Sequence, residues 1–286
     1  MQSLIHRMAY FVEIFFLSPA LFFKKVYMRI LFKVVSTPKG AVPIKVGDYT
    51  IVTWPARNDW WKLMYIGYSS IEVKQEINRY LTTSGIFIDV GGCVGYLSAI
   101  ASRIVGSSGQ VHCFEPNPVN IASIQKMIQS NPDSNIILNG YALGIDDGVH
   151  HYYKKSKKNS TEVTMIENLI CPEEVTESFE VKTKRLDKYL EQKNINNVSL
   201  IKIDVEGFEY FVLKGLEGYF QKNINRPPII CEITPSAYVH LDYTINELYN
   251  YMRDYGYQAY SIFNSNRVVD IRSMHEVTDV VFRALR

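Results

Sequence analysis

The chain has 286 residues, of which 47% are hydrophobic, enough for one sizeable α/β domain with an extension. Its formal net charge is only +2, so no overall field attracts it to nucleic acid or other polyanions, and no nucleic-acid partner is expected. The four cysteines show no C-x-x-C spacing, which argues against a zinc site or a disulfide framework and favours reduced thiols in the cytoplasm.

An apolar segment near the N-terminus is followed by basic residues. Residues 8–23 read MAYFVEIFFLSPALFF, which is shorter than the roughly 20 apolar residues of a membrane-spanning helix. Four basic residues come directly after it: Lys24, Lys25, Arg29 and Lys33. Residues 8–33 therefore indicate one of two structures. Either a helix lies on the inner face of a membrane, or it packs on the domain or on a second copy of the chain in a homo-oligomer.

The sequence patterns divide the chain into three parts: an N-terminal helical segment (residues 1–35), a short-strand and loop appendage (residues 36–70) and a Rossmann-like domain (residues 71–286). The appendage is rich in proline and glycine. In the domain, buried-strand patterns alternate with helical ones, which predicts βαβ units and a mostly parallel sheet. The predicted strands are residues 86–90, 110–115, 135–138, 179–184 (at a sheet edge), 199–205, 228–233, 257–263 and 278–285, with a turn at 264–266 between the last two.

The loop after the first of these strands is rich in glycine and reads Asp89-Val-Gly91-Gly-Cys-Val-Gly95. Glycine allows positive φ angles and a close approach of the backbone to a ligand. A dinucleotide site requires G-x-G-x-x-G, and neither register of this loop supplies the second and third glycines. The G-K-[ST] sequence of a phosphate loop does not follow either. The remaining pattern, D-x-G-x-x-x-G, favours a nucleoside ligand without phosphates.

Two residues at the end of the second strand extend this site. Glu115 lies 20 residues after Gly95, where an acidic residue in Rossmann geometry accepts hydrogen bonds from ribose hydroxyls. Asn117 and Pro118 are suited to the N-cap and the first position of the following helix. The glycine loop and Glu115 together predict a nucleoside-binding strand–helix–strand unit.

A group of acidic residues follows the strand at residues 199–205. Asp204 and Glu206 should face the crevice at the carboxyl ends of the strands, with Glu232 of the next strand nearby. Such carboxylates could remove the proton of an acceptor hydroxyl, so these three are the candidate catalytic residues. Such a cluster could instead bind a divalent metal such as Mg²⁺. The six histidines show no metal-ligand spacing, however, and no metal site is predicted.

Two charged neighbours of this group are expected to have structural roles. Glu209 is expected to face solvent in the first turn of a helix, where the helix dipole favours an acidic side chain. Lys202 is expected to point out of the sheet or to pair with a nearby acid.

These motifs resemble those of the FkbM-type S-adenosylmethionine-dependent methyltransferases. The resemblance covers roughly residues 70–235, with the motifs in the order and approximate spacing of the family. The motifs are Ile88-Asp-Val-Gly-Gly-Cys-Val-Gly-Tyr96, Phe114-Glu-Pro-Asn-Pro118, Tyr141-Ala-Leu-Gly144, Ile201-Lys-Ile-Asp-Val-Glu-Gly-Phe-Glu209 and Ile230-Cys-Glu-Ile233. The common family form has alanine and asparagine where this chain has Gly92 and Cys93.

The resemblance implies a class I methyltransferase fold, with a seven-stranded sheet whose last strand is antiparallel. It also implies S-adenosylmethionine as the methyl donor and an oxygen atom of the acceptor as the site of methylation. By the same resemblance Asp89, Gly91 and Gly95 contact the methionine part of the donor, Glu115 the ribose, and Asn117, Ala142 and Leu143 the surroundings of the adenine, with Tyr96 and Asp204 placed among the cofactor-binding residues.

The function expected from the sequence is methylation of a hydroxyl on a sugar, glycan, lipid-linked or natural-product acceptor. One alternative is an NAD-dependent sugar oxidoreductase or epimerase, which the missing second and third glycines oppose. Another is a non-catalytic protein that retains the fold. The intact set of Asp89, Gly95, Glu115 and Asp204 opposes this second alternative, because a scaffold has no physical need for these acids.

Overall fold

A computed structural model describes residues 15–16, 19–34, 42–47, 49–53, 64, 69–154, 163–166 and 169–285. The helices are α1 (Pro19–Val34), α2 (Ile71–Tyr80), α3 (Tyr96–Val105), α4 (Pro118–Gln129), α5 (Leu186–Gln192), α6 (Glu209–Lys214), α7 (Glu217–Lys222) and α8 (Ile245–Asp254). The strands are β1 (Val42–Val46), β2 (Tyr49–Thr53), β3 (Ile86–Val90), β4 (Gln110–Phe114), β5 (Ile136–Asn139), β6 (Ala142–Leu143), β7 (Gly148–Lys154), β8 (Val163–Thr164), β9 (Glu177–Lys184), β10 (Leu200–Ile203), β11 (Ile229–Ile233), β12 (Tyr257–Ser261), β13 (Asn264–Val268) and β14 (Thr278–Ala284).

An eight-stranded sheet forms the centre of the domain, in the order β13-β12-β14-β11-β10-β3-β4-β5. The five strands from β11 to β5 are parallel, and β14 lies antiparallel between β11 and β12. This arrangement confirms the predicted α/β class, with a mostly parallel, Rossmann-like sheet and an antiparallel last strand.

The eighth strand, β13, differs from the prediction. Residues 264–266 were predicted to form a turn, but they belong to β13, and the turn lies at residues 262–263. The Ser261 hydroxyl accepts a hydrogen bond from the Phe263 amide at 3.2 Å. The turn is therefore complete before Asn264, the first residue of β13. The strand then continues antiparallel to β12 and extends the edge of the sheet.

Helices cover both faces of this sheet. Alternation along each strand sends Phe87 to one face and Ile88 to the other, and both side chains are fully buried. The Ile88 face packs on α5, α6, α7 and α8. The Phe87 face packs on α2, α3 and α4 and on the β1–β2 hairpin. The sheet is therefore the middle of three layers, and its strand ends are left open for a ligand.

A second sheet of four strands, in the order β6-β9-β7-β8, lies between β5 and α5 in the chain. Residues 179–184 were predicted as an edge strand, but β9 lies inside this sheet, between β6 and β7. The edge prediction failed because β7 lacks an alternating apolar pattern: its sequence is GVHHYYK, and most of its residues are exposed or half-buried.

The N-terminal elements are attached to the domain at several points. The Asn131 carboxamide accepts a hydrogen bond from the Thr50 amide at 3.2 Å, which ties β2 to the residues after α4. On α1, Phe22 packs against Ile71 at the start of α2. Most of the predicted apolar run at residues 8–23 lies outside the described residues. Among the described helices, none is both long and apolar enough to cross a membrane. The boundaries of the three predicted parts stay predictions.

The predicted N-cap of α4 is confirmed, and it yields a stability test. The Val119 amide donates to the Asn117 carboxamide oxygen at 3.0 Å, and Pro118 follows at the first helical position. Asn117→Ala should lower the free energy of unfolding by about 1 kcal/mol in urea denaturation. Asn117→Ser keeps an acceptor and should recover most of that loss. Equal stability of Asn117→Ala and the unmodified protein would contradict the capping role.

Candidate active site

A cavity of about 310 Å³ lies at the carboxyl ends of β3, β4, β10 and β11. Ligands in open α/β sheets bind at these strand ends. The second sheet contributes Tyr152 and Val163 to the cavity wall, and Met165 follows directly after β8. The volume lies at the lower end of the range for small-molecule sites.

The cavity brings together most of the site residues predicted from the sequence. Those that line it are Asp89, Gly91, Tyr96, Glu115, Ala142, Leu143, Asp204, Glu206 and Glu232. Gly95 and Asn117, which were also predicted to bind the cofactor, are not among its lining residues. Instead Asn117 caps α4, and Gly95 lies at the N-cap of α3 against Met127 of α4. These two residues shape the loops behind the wall.

The glycine loop is held close to the end of β10. Gly91 has a φ of +80°, and a Cβ atom at this position would overlap the carbonyl oxygen of Asp204. The amides of Gly91 and Gly92 both donate to the Phe114 carbonyl at 3.0 Å. Glycine is therefore required at Gly91 both for the backbone angle and for the passage of the neighbouring loop.

Glu115 is almost completely buried, and its carboxylate is fixed by backbone amides of two loops. One oxygen accepts from the Cys93 amide and the other from the Asn117 amide, each at 2.8 Å. Burial raises the pKa of Glu115 to about 7, although these hydrogen bonds act in the opposite direction. Each oxygen has a second lone pair, so the carboxylate can still accept hydrogen bonds from a ligand in the cavity.

Lys202 lies between two carboxylates at the centre of the site. Its ammonium is 3.1 Å from Asp204 Oδ2 and 3.7 Å from Asp89 Oδ1. It also donates to the carbonyl of Gly91 at 3.0 Å. Burial alone would lower the pKa of Lys202, but the carboxylates of Asp204 and Asp89 raise it above its ordinary value. The expectation that Lys202 pairs with an acid is therefore the correct one of the two alternatives.

Asp89 is fully buried, and its two oxygens have different surroundings. Oδ2 accepts a hydrogen bond from the Ser98 hydroxyl at 2.6 Å. Oδ1 has no hydrogen-bond partner among the described residues, although it is close to the Lys202 ammonium. Because Asp89 also lines the cavity, Oδ1 is available to a donor group of a ligand.

The loop after β10 is shaped by Glu209, contrary to the prediction that this residue faces solvent. Its side chain is fully buried, and Oε1 accepts from the amides of Gly207 at 3.0 Å and Val205 at 3.2 Å. The loop turns through left-handed backbone angles at Glu206 (φ +54°) and Gly207 (φ +101°). Because the loop turns inward, the amides of Val205 and Gly207 face the protein interior. The Glu209 side chain points inward to accept hydrogen bonds from them.

Asp279 was missed by the sequence analysis and lies directly opposite Glu232. The two residues are paired in the antiparallel register of β11 and β14, and both line the cavity. Opposed residues of antiparallel strands have Cβ atoms about 5 Å apart on one face of the sheet. The Thr234 hydroxyl donates to Glu232 at 3.2 Å.

These two carboxyl groups hold protons more strongly than usual. Burial, followed by the charge of Asp204, raises the pKa of Glu232 to about 10 and that of Asp279 to about 7. The Lys202 ammonium opposes the increase at Asp279. At neutral pH Glu232 is therefore protonated, whereas Asp279 is close to the middle of its titration.

Three further polar residues of the lining were also missed by the sequence analysis: Ser70, Asn120 and Tyr152. Asn120 Oδ1 is buried, and no described residue forms a hydrogen bond with it. In the sequence, Asn120 could have been found from its place in the first turn of the helix after Glu115. Ser70, Tyr152 and Asp279 carry no comparable signal, because only tertiary packing brings them to the strand ends.

In the described part of the chain, no group of three or more His, Cys, Asp or Glu side chains is arranged to hold a metal ion. The space between Asp89 and Asp204 holds the Lys202 ammonium. The local cation is thus supplied by the protein itself.

A sequence model of the family described as "Methyltransferase FkbM domain" matches residues 89–259. A curated relative, Methyltransferase 1 from Beauveria bassiana (strain ARSEF 2860), is 28% identical over 144 residues. That alignment covers 46% of this chain and only 57% of the relative.

Solved methyltransferase structures show a weaker similarity. The FkbM methyltransferase from Methylobacillus flagellatus KT aligns with a TM-score of 0.43 at 15% identity, over 78% of this chain and 54% of that chain. An S-adenosylmethionine-dependent O-methyltransferase from Thermotoga maritima aligns with a TM-score of 0.42 at 12% identity, over 87% and 79% of the two chains.

The buried carboxyl groups predict how stability depends on pH. Folding raises the pKa values of Glu115, Glu209 and Asp279 to about 7, compared with about 4 in an unfolded chain. Between these values the folded protein binds more protons than the unfolded chain, so the free energy of unfolding should decrease as pH rises from about 5 to 8.

Urea denaturation of the ligand-free protein at several pH values measures this slope. Glu209→Gln should make it shallower, because glutamine keeps the acceptor for the loop amides but cannot ionise. The exposed Glu180 provides the matched control, Glu180→Gln. A stability that rises over this range, or a slope unchanged by Glu209→Gln, would refute the prediction.

Proposed function

The chain belongs to the FkbM methyltransferase family, and we propose that its cavity transfers a methyl group from S-adenosylmethionine to a hydroxyl of a polar acceptor. The family inferred from the motifs is confirmed by the match over residues 89–259. One observation carries the proposal: a single cavity contains the loop-bound Glu115, the Asp89–Lys202–Asp204 ion cluster and the Glu232–Asp279 pair, in the order of their strands.

The donor end of the cavity lies over β4 and β3. Glu115 offers carboxylate oxygens to the two ribose hydroxyls, and the orphan oxygens of Asp89 and Asn120 offer further acceptors. The amino acid part of the donor carries an ammonium, for which the Asp89 and Asp204 carboxylates provide opposite charge. Ala142 and Leu143 give an apolar surface suited to the adenine ring. The ribose, the ammonium and the adenine of the donor would therefore each lie near side chains of matching chemistry.

The acceptor end lies beyond β10, over β11 and β14. Strand β10 is two strands away from β4, which corresponds to about 10 Å across the sheet, and β14 is two strands further. A donor whose ribose is held by Glu115 would thus point its methyl group towards Asp204, Glu206, Glu232 and Asp279. Carboxyl groups of this kind bind hydroxyls well, which supports a sugar, glycan, lipid-linked or natural-product acceptor.

In the proposed reaction the acceptor oxygen forms a bond to the methyl carbon of the sulfonium donor while the carbon–sulfur bond breaks and leaves its electron pair on sulfur. The protein's task is to hold the hydroxyl in line and to accept its proton. Asp279 suits the second task, because a general base works best with a pKa near the working pH. Glu232, protonated at neutral pH, can donate a hydrogen bond to the same acceptor.

Replacement of Glu115 tests the donor end. Glu115→Ala should weaken S-adenosylmethionine binding by roughly 5- to 150-fold, which corresponds to about 1–3 kcal/mol for lost buried hydrogen bonds. Isothermal titration calorimetry measures the affinity, with Glu180→Gln as the control for a removed glutamate charge. The absence of any binding to the unmodified protein at high micromolar donor would overturn the proposed function.

Replacement of Asp279 tests the acceptor end. With an acceptor found by screening labelled methyl donor against extracted glycans and lipids, kcat should rise with pH through about 7 as Asp279 loses its proton. Asp279→Asn should remove this rise and lower kcat by about 10²- to 10⁴-fold, with donor affinity nearly unchanged. Glu232→Gln resembles the protonated form of Glu232 and should cost much less. The reverse ranking of the two variants would assign the base to Glu232.

A further inference from the structure

Helix α1 carries an exposed apolar face. Phe23, Tyr27, Ile30 and Val34 follow one another at intervals of four, three and four residues, which places them on one side of the helix. Their exposed fractions are 62%, 60%, 58% and 74%. Scattered apolar residues on a surface are ordinary, but a continuous stripe along a helix marks a contact surface.

The helix is attached to the domain through a different side chain. Phe22 packs against Ile71, together with Phe263 from the turn between β12 and β13. Phe22 also contacts Phe15 and Phe23 edge to face, with ring centroids 5.2 and 5.5 Å apart. The stripe is therefore held beside the domain rather than used to attach the helix to it.

The charge of the helix favours one kind of binding partner for the stripe, an anionic membrane. Pro19–Val34 contains four basic residues, Lys24, Lys25, Arg29 and Lys33, and no acidic residue. A second copy of the same helix would bring together two segments of the same positive charge, which is unfavourable. An apolar face with lysine and arginine in the same helix is the composition of helices that lie on anionic membranes.

This helix lies next to the acceptor end of the cavity. Ile71, which contacts Phe22, directly follows Ser70, a residue of the cavity wall. The next residue, Glu72, is close enough to Asp279 for its charge to act on that carboxyl group. The first turn of α2 thus joins the attachment point of α1 to the proposed acceptor site.

We propose that α1 docks the protein on an anionic lipid surface through Phe23, Tyr27, Ile30 and Val34, with the acceptor end of the cavity beside that surface. Docking itself is independent of the proposed function. The consequence that the acceptor is carried by the membrane rests on the proposed function.

Sedimentation of the full chain with phospholipid vesicles tests the docking. Binding to vesicles of phosphatidylcholine with phosphatidylglycerol should exceed binding to pure phosphatidylcholine, and added salt should weaken it. The double variant Phe23→Ser/Ile30→Ser should bind at least about tenfold more weakly, because two apolar side chains no longer enter the lipid. The matched control, Ile224→Ser/Val239→Ser, removes two other exposed apolar side chains and should bind normally.

A second measurement does not depend on the stability of the double variant. Tyr27→Trp places a fluorophore in the stripe, and brominated phosphatidylglycerol should quench its emission. An unquenched tryptophan, or equal vesicle binding by the Phe23→Ser/Ile30→Ser variant and its control, would overturn the proposal. The proposal would also be overturned by a dimer in solution that the Phe23→Ser/Ile30→Ser variant dissociates, because a second copy would then cover the stripe.

The two proposals fail in distinguishable ways. If the full chain binds vesicles but not S-adenosylmethionine, the proposed function falls and docking stands. If it binds the donor but not the vesicles, docking falls. The Phe23→Ser/Ile30→Ser variant should keep its donor affinity and should lose methyl transfer only to acceptors embedded in vesicles.

Discussion

The ammonium of Lys202 is the interaction on which the rest of the site depends. It joins the Gly91 carbonyl to the carboxylates of Asp89 and Asp204, and so fixes the loop after β3 against the loop after β10. Without this charge, two carboxylates would face each other at the strand ends, one of them fully buried. The close approach of the two loops also requires glycine at position 91, because a Cβ atom there would overlap the Asp204 carbonyl oxygen.

The ion cluster also separates the two kinds of carboxyl group in the cavity. On its donor side, Glu115 is compensated by backbone amides, so it can bind hydroxyls in a fixed position. On its acceptor side, Glu232 and Asp279 face each other, and no backbone amide of the described residues is among the groups that shift their pKa values. Burial, followed by repulsion from Asp204, raises the pKa of both and favours their protonated forms. In the proposed function, Glu115 positions the donor and the Glu232–Asp279 pair exchanges a proton with the acceptor. Their places along the sheet separate these roles, because Glu115 and Asp279 both have a pKa of about 7.

The features that could be predicted from the sequence are those set by residues close together in the chain. The βαβ alternation, the glycine loop and the cap at Asn117 each depend on residues that are close together in the chain, and the structure has them as predicted. Glu115 lines the cavity, and its role in binding ribose stays a prediction. The sequence could not predict Asp279, because the register that places this residue opposite Glu232 joins strands 47 residues apart. Glu209 was wrongly placed in solvent for a similar reason: helical position gives no information about a loop that turns back over it.

The distribution of these residues along the chain has a consequence for specificity. The donor-side residues lie within residues 89–259, the part that matches the family. Ser70 and Asp279 lie outside it, and both line the cavity, Ser70 directly before α2 and Asp279 near the start of β14. In the proposed function, changes at these positions would alter the acceptor end, and a change at Asp279 would also act on Lys202, because the two charges interact. In the proposed function, the donor site lies within the matched segment, whereas the acceptor end combines Asp204, Glu206 and Glu232 from that segment with Ser70 and Asp279 from outside it.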